Sequence, residues 1–144
     1  MKKIIIMISI AIIAISIICI NYYSYKIEYD RVLEENAEFD KYKYKEIYGI
    51  ELGTIINKAI DKNSKNKVTK DENGLFISND ENSIHIEIYI QDNEQLYKME
   101  TFYDSGTERF VQYYGNIKFK CSKIEYHKNT KKVKYLLFEQ IGIS

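Results

Sequence analysis

The sequence contains no proline and no tryptophan, and it has only two cysteines and two histidines. Because Cys19 lies in an apolar run and Cys121 in the last third of the chain, we predict two free thiols rather than a disulfide framework. His85 and His127 are isolated, so the clustered ligands that a zinc site requires are missing. The motifs of phosphate loops, nucleophile elbows and zinc peptidases are also missing. We therefore predict no catalytic residue, no cofactor-binding residue, no metal ligand and no cofactor.

The few residues that offer thiol or imidazole chemistry are Cys121, His127 and His85. Cys121 and His127 are separated by about 20 Å along a predicted strand, so only His85, on another strand, lies within possible reach of the thiol. A free cysteine in a strand is usually a small buried hydrophobe, and we interpret Cys121 in this way. Glu100 and Glu108 resemble a pair of catalytic carboxylates, but 21 acidic residues produce such pairs by chance.

The charge of the chain excludes a strongly basic or acidic protein, because 21 basic side chains balance 21 acidic ones. No nucleic acid is therefore predicted as a partner. The charge is uneven along the sequence, with an acidic block from Asp80 to Glu108 and a basic block from Lys118 to Lys134. We expect the two blocks to face each other across a sheet. The alternative is a basic strip that faces anionic lipid or a wall polymer.

The sequence does contain one long apolar run, Ile4 to Ile20, which has no charged residue. As a helix it spans about 25 Å, and with the next five residues about 31 Å, which is enough to cross a bilayer. Tyr22, Tyr23 and Tyr25 then lie at the level of the outer headgroups, where aromatic side chains are enriched. We predict that Ile4 to Ile20 contacts the lipid bilayer.

Three fates of this segment are distinguished by the residues around it. A cleaved signal peptide has a shorter apolar region and a small residue three positions before the cleaved bond. If cleavage followed Ser24, that position would hold the bulky Tyr22. A lipoprotein cysteine follows a small residue, whereas Cys19 follows Ile18. An uncleaved anchor is therefore favoured over cleavage and over lipidation. Lysines before the run predict that the N-terminus is inside the cytoplasmic membrane and the C-terminal domain outside.

Beyond the anchor a heptad stripe predicts that the helix continues as a stalk. Its members are Tyr22, Tyr25, Tyr29, Val32, Asn36 and Phe39. We expect the stripe to pack on the protein's own domain, with pairing to a second copy as the alternative. The predicted division is a transmembrane signal-anchor at residues 1–25, a helical stalk at 26–47 and an extracytoplasmic α+β domain at 48–144.

The remaining chain predicts a short second helix and a sheet. Tyr48 to Asn63 has helical spacing, with Gly53 permitting close approach or a bend. From Lys67 onward the period is two. Predicted strands are Val68, Leu75 to Ser78, Ser83 to Gln91, Leu96 to Tyr103, Ile117 to Tyr126 with a bulge near Ser122, and Val133 to Phe138. The motifs DENG and NDEN are interpreted as turns, because they lack the spaced acids of a calcium loop.

A short helix is predicted to interrupt this sheet, with Ser105 as its N-cap, Glu108 completing a capping box and Gly115 at its end. The fold class is therefore α+β. It comprises a long N-terminal transmembrane-plus-stalk helix, a short second helix and an antiparallel sheet of about six strands with a short inserted helix.

Two resemblances follow from these patterns. The layout resembles type IV pilins and pseudopilins, although no Gly precedes the apolar run and no Glu lies just inside it. The stretch YGIELGTIINKAIDKN, with Gly49, Gly53 and Asn63, resembles small single-pass membrane-anchored proteins of AT-rich Gram-positive bacteria, a composition that this Ile-, Lys-, Asn- and Tyr-rich chain shares. That resemblance implies no known activity and no site residues.

The function that we expect is that of a non-enzymatic, membrane-anchored interaction or assembly module of the bacterial cell envelope. Its partner is an unidentified protein or a second copy of the chain. A pilin-like structural subunit is the first alternative, and an envelope enzyme or small-ligand binder is the second.

Overall fold

The computed structural model describes residues 2–142, which divide into two compact units at the boundary between Glu35 and Asn36. Residue 1 of the predicted anchor and residues 143–144 of the predicted domain lie outside the described residues. The elements are α1 Lys2–Asp40, β1 Glu46–Tyr48, α2 Gly49–Lys65, β2 His85–Ile90, a 3-10 turn Gln91–Asn93, β3 Gln95–Lys98, α3 Met99–Asp104, α4 Thr107–Tyr114, β4 Lys118–Tyr126 and β5 Val133–Gln140.

The first unit is the greater part of α1, and its side chains from Ile4 to Ile20 are all exposed. The hydroxyl groups of Ser9 and Ser16 donate hydrogen bonds to carbonyl oxygens one turn earlier in the helix, at 3.0 and 2.8 Å. The run therefore presents an apolar surface without unsatisfied side-chain hydroxyls, as an environment without water requires. One helix of this length and composition near the N-terminus is consistent with a single-pass membrane anchor or with a signal sequence.

The second unit is built on a mixed sheet of five strands in the order β1-β4-β5-β2-β3. The α+β class is therefore confirmed, but two details of the prediction were wrong. The sheet has five strands rather than about six, and it is not wholly antiparallel, because β2 pairs with β5 in parallel. The strand β5 thus lies between β4 and β2, so within the sheet the two blocks meet only where Lys134 at the start of β5 adjoins β2, and the rest of the basic block on β4 is one strand further away.

Several local predictions are confirmed. Along β2, Ile86, Ile88 and Ile90 are buried and alternate with half-buried residues. The bulge in β4 occurs as a register shift between Cys121 and Lys123. The second helix forms as α2, and it runs two residues beyond the predicted end at Asn63. Periodic sequence signals of this kind specify which face an element buries.

The predicted hairpin around DENG forms only in part, as its turn and a single antiparallel bridge between Lys70 and Phe76, and its two strands do not develop. The turn itself is held by Asp71, whose carboxylate accepts hydrogen bonds from the backbone N–H groups of Asn73 and Leu75. Beyond the turn the backbone N–H of Phe76 donates to the Glu100 carboxylate at 3.1 Å. This contact lies outside the hairpin pairing, in which the N–H of Ile77 donates to the carbonyl oxygen of Thr69 at 2.8 Å.

Two further predictions were wrong around residue 100. The strand predicted from Leu96 ends at Lys98, and α3 follows in place of its second half. The next helix, α4, has Gly106 rather than Ser105 as its N-cap, and no side-chain cap. The Ser105 hydroxyl instead donates to the carbonyl oxygen of Thr101 at 2.8 Å, so it belongs to the end of α3.

The hydrophobic core of this unit lies between the sheet and α2 with α4. Close approach of the two helices depends on Gly53, where an added Cβ would lie 2.9 Å from Cγ2 of Val111. Phe110 of α4 is 2% exposed, and its ring centroid lies 6.0 Å from that of Phe119 in β4. The core therefore fixes α4 against the sheet.

Two buried asparagines tie the helices to the strands. Asn36 donates to the carbonyl oxygen of Lys131 at 2.8 Å and accepts from the N–H of Val133 at 2.9 Å. Asn63 makes the same pair of bonds with both backbone groups of Ile84, at 2.7 and 2.8 Å. Each amide thus satisfies one donor and one acceptor that would otherwise be buried without partners.

The heptad stripe has different surroundings at its two ends. Tyr22, Tyr25 and Tyr29 are more than half exposed. Asn36 and Phe39 are buried within the second unit, so the predicted packing on the protein's own domain is confirmed for these two positions. The helix ends at Asp40, and residues 41–44 of the predicted stalk form turns.

Candidate functional site

The structure does not bring Cys121 and His85 together. Cys121 is buried on the core face of β4, opposite Phe138 of β5. His85 pairs with Tyr135, three positions away along β5, and its side chain points away from the buried isoleucines of β2. The thiol lies 3.7 Å from the carbonyl oxygen of Lys123, and burial raises its pKa to about 11. Cys121 is therefore a protonated core residue.

Cys121 is expected to be nearly inert toward alkylation in the folded protein. With a pKa of about 11, only about one thiol in a thousand is ionised at pH 8, and burial limits access to it. In a Cys19→Ser background, iodoacetamide should react at least about 100-fold more slowly with the native protein than with the urea-unfolded protein. The measurement is the mass increase over time, with Ser105→Cys as an exposed control. Equal native and unfolded rates would contradict the buried placement.

His127 has a structural role at the turn between β4 and β5. It is 1% exposed, and its Nε2 lies 2.8 Å from the carbonyl oxygen of Ser83. Since a carbonyl oxygen only accepts, Nε2 carries the proton in this contact. The backbone N–H of His127 also donates to Lys132 at 2.8 Å. The imidazole is thus occupied in holding the turn to the segment before β2.

A cleft with a volume of about 330 Å³ lies beside the first residues of β2. Its lining combines acidic, basic, imidazole and aromatic side chains from every strand of the sheet except β1, together with α3 and the segment before β2. These residues are Phe76, Ser78, His85, Ile86, Glu87, Lys98, Glu100, Glu125, Lys134 and Tyr135. A concave site with a few convergent polar groups is where a small ligand is most often bound.

His85 has the most unusual environment in this cleft. Its Nε2 is shielded from solvent and has no hydrogen-bond partner among residues 2–142. Burial lowers the pKa of the ring. The Glu100 carboxylate acts in the opposite direction, whereas Lys98 and Lys134 add to the decrease. The imidazole is therefore neutral at neutral pH, with one ring nitrogen held in a site that offers it no partner.

The carboxylates of the cleft already have partners. Glu87 accepts a hydrogen bond from the Tyr135 hydroxyl at 2.6 Å, and Glu125 pairs with Lys123 at 2.6 Å outside the cleft. Glu100 is 3% exposed and uses one oxygen to accept from the backbone of the segment before β2. Burial and the bond to Glu87 raise the pKa of Tyr135, so its hydroxyl remains a donor at neutral pH.

The ammonium groups of the cleft are in the opposite situation. Within the part of the chain that the structure describes, Lys98 and Lys134 make no ion pair and no hydrogen bond. Both line the cleft together with His85, and both lower the pKa of its ring. The cleft thus holds two uncommitted cations and one uncommitted ring nitrogen.

No metal site accompanies the cleft, because no group of three or more His, Cys, Asp or Glu side chains among residues 2–142 is placed to hold an ion. Sequence reasoning considered His85 only as a partner for the thiol and Glu100 only as a partner for Glu108. Glu108 is exposed on α4, and Glu100 is buried. The available signal was His85 itself, an ionisable residue at the start of the strand with the clearest alternation.

The chain thus combines one helix long and apolar enough to cross a membrane with an α+β unit that carries an open cleft. Comparisons with protein-family models, with curated proteins and with solved structures found no match. Its function is therefore inferred from its own residues.

Proposed function

We propose that the protein is a single-pass, membrane-anchored interaction or assembly module of the bacterial cell envelope, with its α+β domain outside the cytoplasmic membrane. The observation that carries this proposal is the continuous exposure of Ile4 to Ile20 in α1. An apolar surface of this length is strongly unfavourable in water, and a bilayer is the solvent that it fits. The lysines before it favour an N-terminus on the cytoplasmic side.

The non-enzymatic part of the proposal is supported by the positions of the reactive side chains. Cys121 is protonated in the core, and His127 holds a turn, so neither is presented to a substrate. The resemblance of Tyr48 to Asn63 to small anchored proteins of Gram-positive bacteria agrees with an envelope location. The proposed partner is another envelope protein or a second copy of the chain.

Membrane anchoring is tested by fractionation of cells that express the full chain. The protein should remain with the membrane in alkaline carbonate, keep its N-terminus by mass spectrometry and become protease-sensitive from outside the cytoplasmic membrane. Ile12→Arg should release a large fraction, because an arginine at the centre of the span costs about 2.5–3.5 kcal/mol on insertion scales. Ile50→Arg is the matched control, since Ile50 is already 60% exposed on α2. A truncated, soluble product in the medium would overturn the anchor.

The interaction role is tested in the same cells by chemical cross-linking. A module of this kind should give a discrete adduct of defined mass that contains the chain. Absence of any adduct under several cross-linker lengths would contradict the interaction role. Envelope filaments that contain a product processed near Lys3 would instead support the pilin-like alternative.

A further inference from the structure

The cleft beside β2 contains an unexplained polar atom. A buried imidazole nitrogen without a hydrogen bond is unfavourable, so folded proteins seldom retain one without a reason. Here Nε2 of His85 is the one buried side-chain nitrogen or oxygen among residues 2–142 that has no partner. His85 is a lining residue of the cleft, so a molecule bound there changes the surroundings of this ring.

The charges around this atom restrict what the molecule is. An anion alone would gain contacts with Lys98 and Lys134, but it would add negative charge to a lining that holds three carboxylates. A cation alone would approach those carboxylates but would be repelled by the two lysines. Only a molecule that carries both charges, separated by a few atoms, satisfies both parts of the lining.

We propose that this cleft binds a small zwitterion, an α-amino acid or a dipeptide. Its carboxylate contacts the ammonium groups of Lys98 and Lys134, and its ammonium group lies against the carboxylate of Glu100. The bound molecule lies beside the His85 ring and alters its electrostatic surroundings. The Phe76 side chain supplies an apolar wall for a small substituent. A volume of about 330 Å³ is at the lower end of the range for ligand pockets, which suits a molecule of this size.

This site is independent of the proposed anchoring role, and the chain offers a specific probe for it. With only two histidines, the protein labelled with ¹⁵N-histidine gives side-chain signals from His85 and His127 alone. The full chain in lipid nanodiscs is titrated with L-alanine and with L-alanyl-L-alanine through the millimolar range. We expect the Nε2 signal of His85 to shift and saturate while that of His127, already bonded to Ser83, stays unchanged.

The titration has two controls of ligand chemistry. Acetate and methylammonium each carry one of the two charges, and each should shift the His85 signal at least about tenfold more weakly than the zwitterions, a difference of about 1.4 kcal/mol. If neither zwitterion shifts His85, or if acetate or methylammonium alone does so equally well, the proposal is overturned. These outcomes leave the membrane fractionation unaffected, so the two proposals fail separately.

Substitutions test the lining itself. Lys98→Gln and Lys134→Gln should each weaken binding by about tenfold or more, because each removes one charge-assisted contact. Lys120→Gln is the matched control, since Lys120 is an exposed lysine of β4 that lies outside the cleft, opposite Glu139 in the strand register. An unchanged His127 signal shows that each variant is folded. Unchanged binding in both Lys98→Gln and Lys134→Gln would overturn the assignment.

Discussion

Replacing Asn63 by alanine is expected to lower the free energy of unfolding by about 3 kcal/mol or more. The side chain is fully buried and bonds both backbone groups of Ile84. Alanine would leave one buried N–H and one buried carbonyl group without partners, each at a cost of about 1–3 kcal/mol, and would open a small cavity. For a domain of about 100 residues this corresponds to a decrease in Tm of about 10–20 °C.

The measurement is thermal and urea unfolding of the full chain in micelles, followed by near-UV circular dichroism of the tyrosines. Asn66→Ala is the matched control, because Asn66 is exposed just beyond the end of α2 and its amide makes one bond, to the carbonyl oxygen of Asn82 at 3.1 Å. Asn66→Ala should lower the free energy of unfolding by less than about 1 kcal/mol. If both variants lowered the free energy of unfolding equally, the hydrogen bonds between Asn63 and Ile84 would not explain the loss of stability.

Replacing Gly49 by alanine is also expected to have a large effect, lowering the free energy of unfolding by about 3 kcal/mol or more. An added Cβ would overlap the carbonyl oxygen of Tyr114, which is backbone and cannot rotate away. The N–H of Gly49 also donates to Ile117 at 2.9 Å, and that of Ile50 to Gly115 at 3.2 Å. Relief of the overlap would separate the start of α2 from the end of α4 and break these bonds. Overpacking of this kind usually costs about 1–3 kcal/mol, and more where backbone must move.

The same substitution at Gly142 is the control for the intrinsic effect of alanine. There the nearest atom to an added Cβ is Oε1 of Gln91 at 3.1 Å, the end of a flexible side chain. Gly142→Ala should therefore change stability by less than about 0.5 kcal/mol. Unfolding curves of the two variants that coincide would show that the approach of α2 to α4 is looser than the structure has it.

The parts of the fold that sequence predicts are those with a local period. The alternation along β2 and the spacing of α2 depend only on which residues are apolar, so both are correct. Adjacent burial of Met99 and Glu100 breaks the alternation expected of a strand, and α3 forms there. The three residues of β1 are too few to show a period at all.

The candidate site shows where local reasoning stops. The cleft around His85 is lined by side chains from α3, β3 and β5, which lie up to 50 positions from it in the sequence. Likewise, the backbone N–H of Phe76 finds its partner in the carboxylate of Glu100, 24 positions away. Long-range partners of this kind have no signature in a window of neighbouring residues.

The central place of β5 also sets the order in which the domain is completed. The pairs β1–β4 and β2–β3 are joined into one sheet only through β5, the last strand along the chain. A nascent chain that has produced every other strand still holds two unconnected half-sheets with unpaired inner edges. We therefore expect the domain to stay unfolded through most of its synthesis. That delay suits the proposed topology, in which the domain crosses the cytoplasmic membrane before it folds.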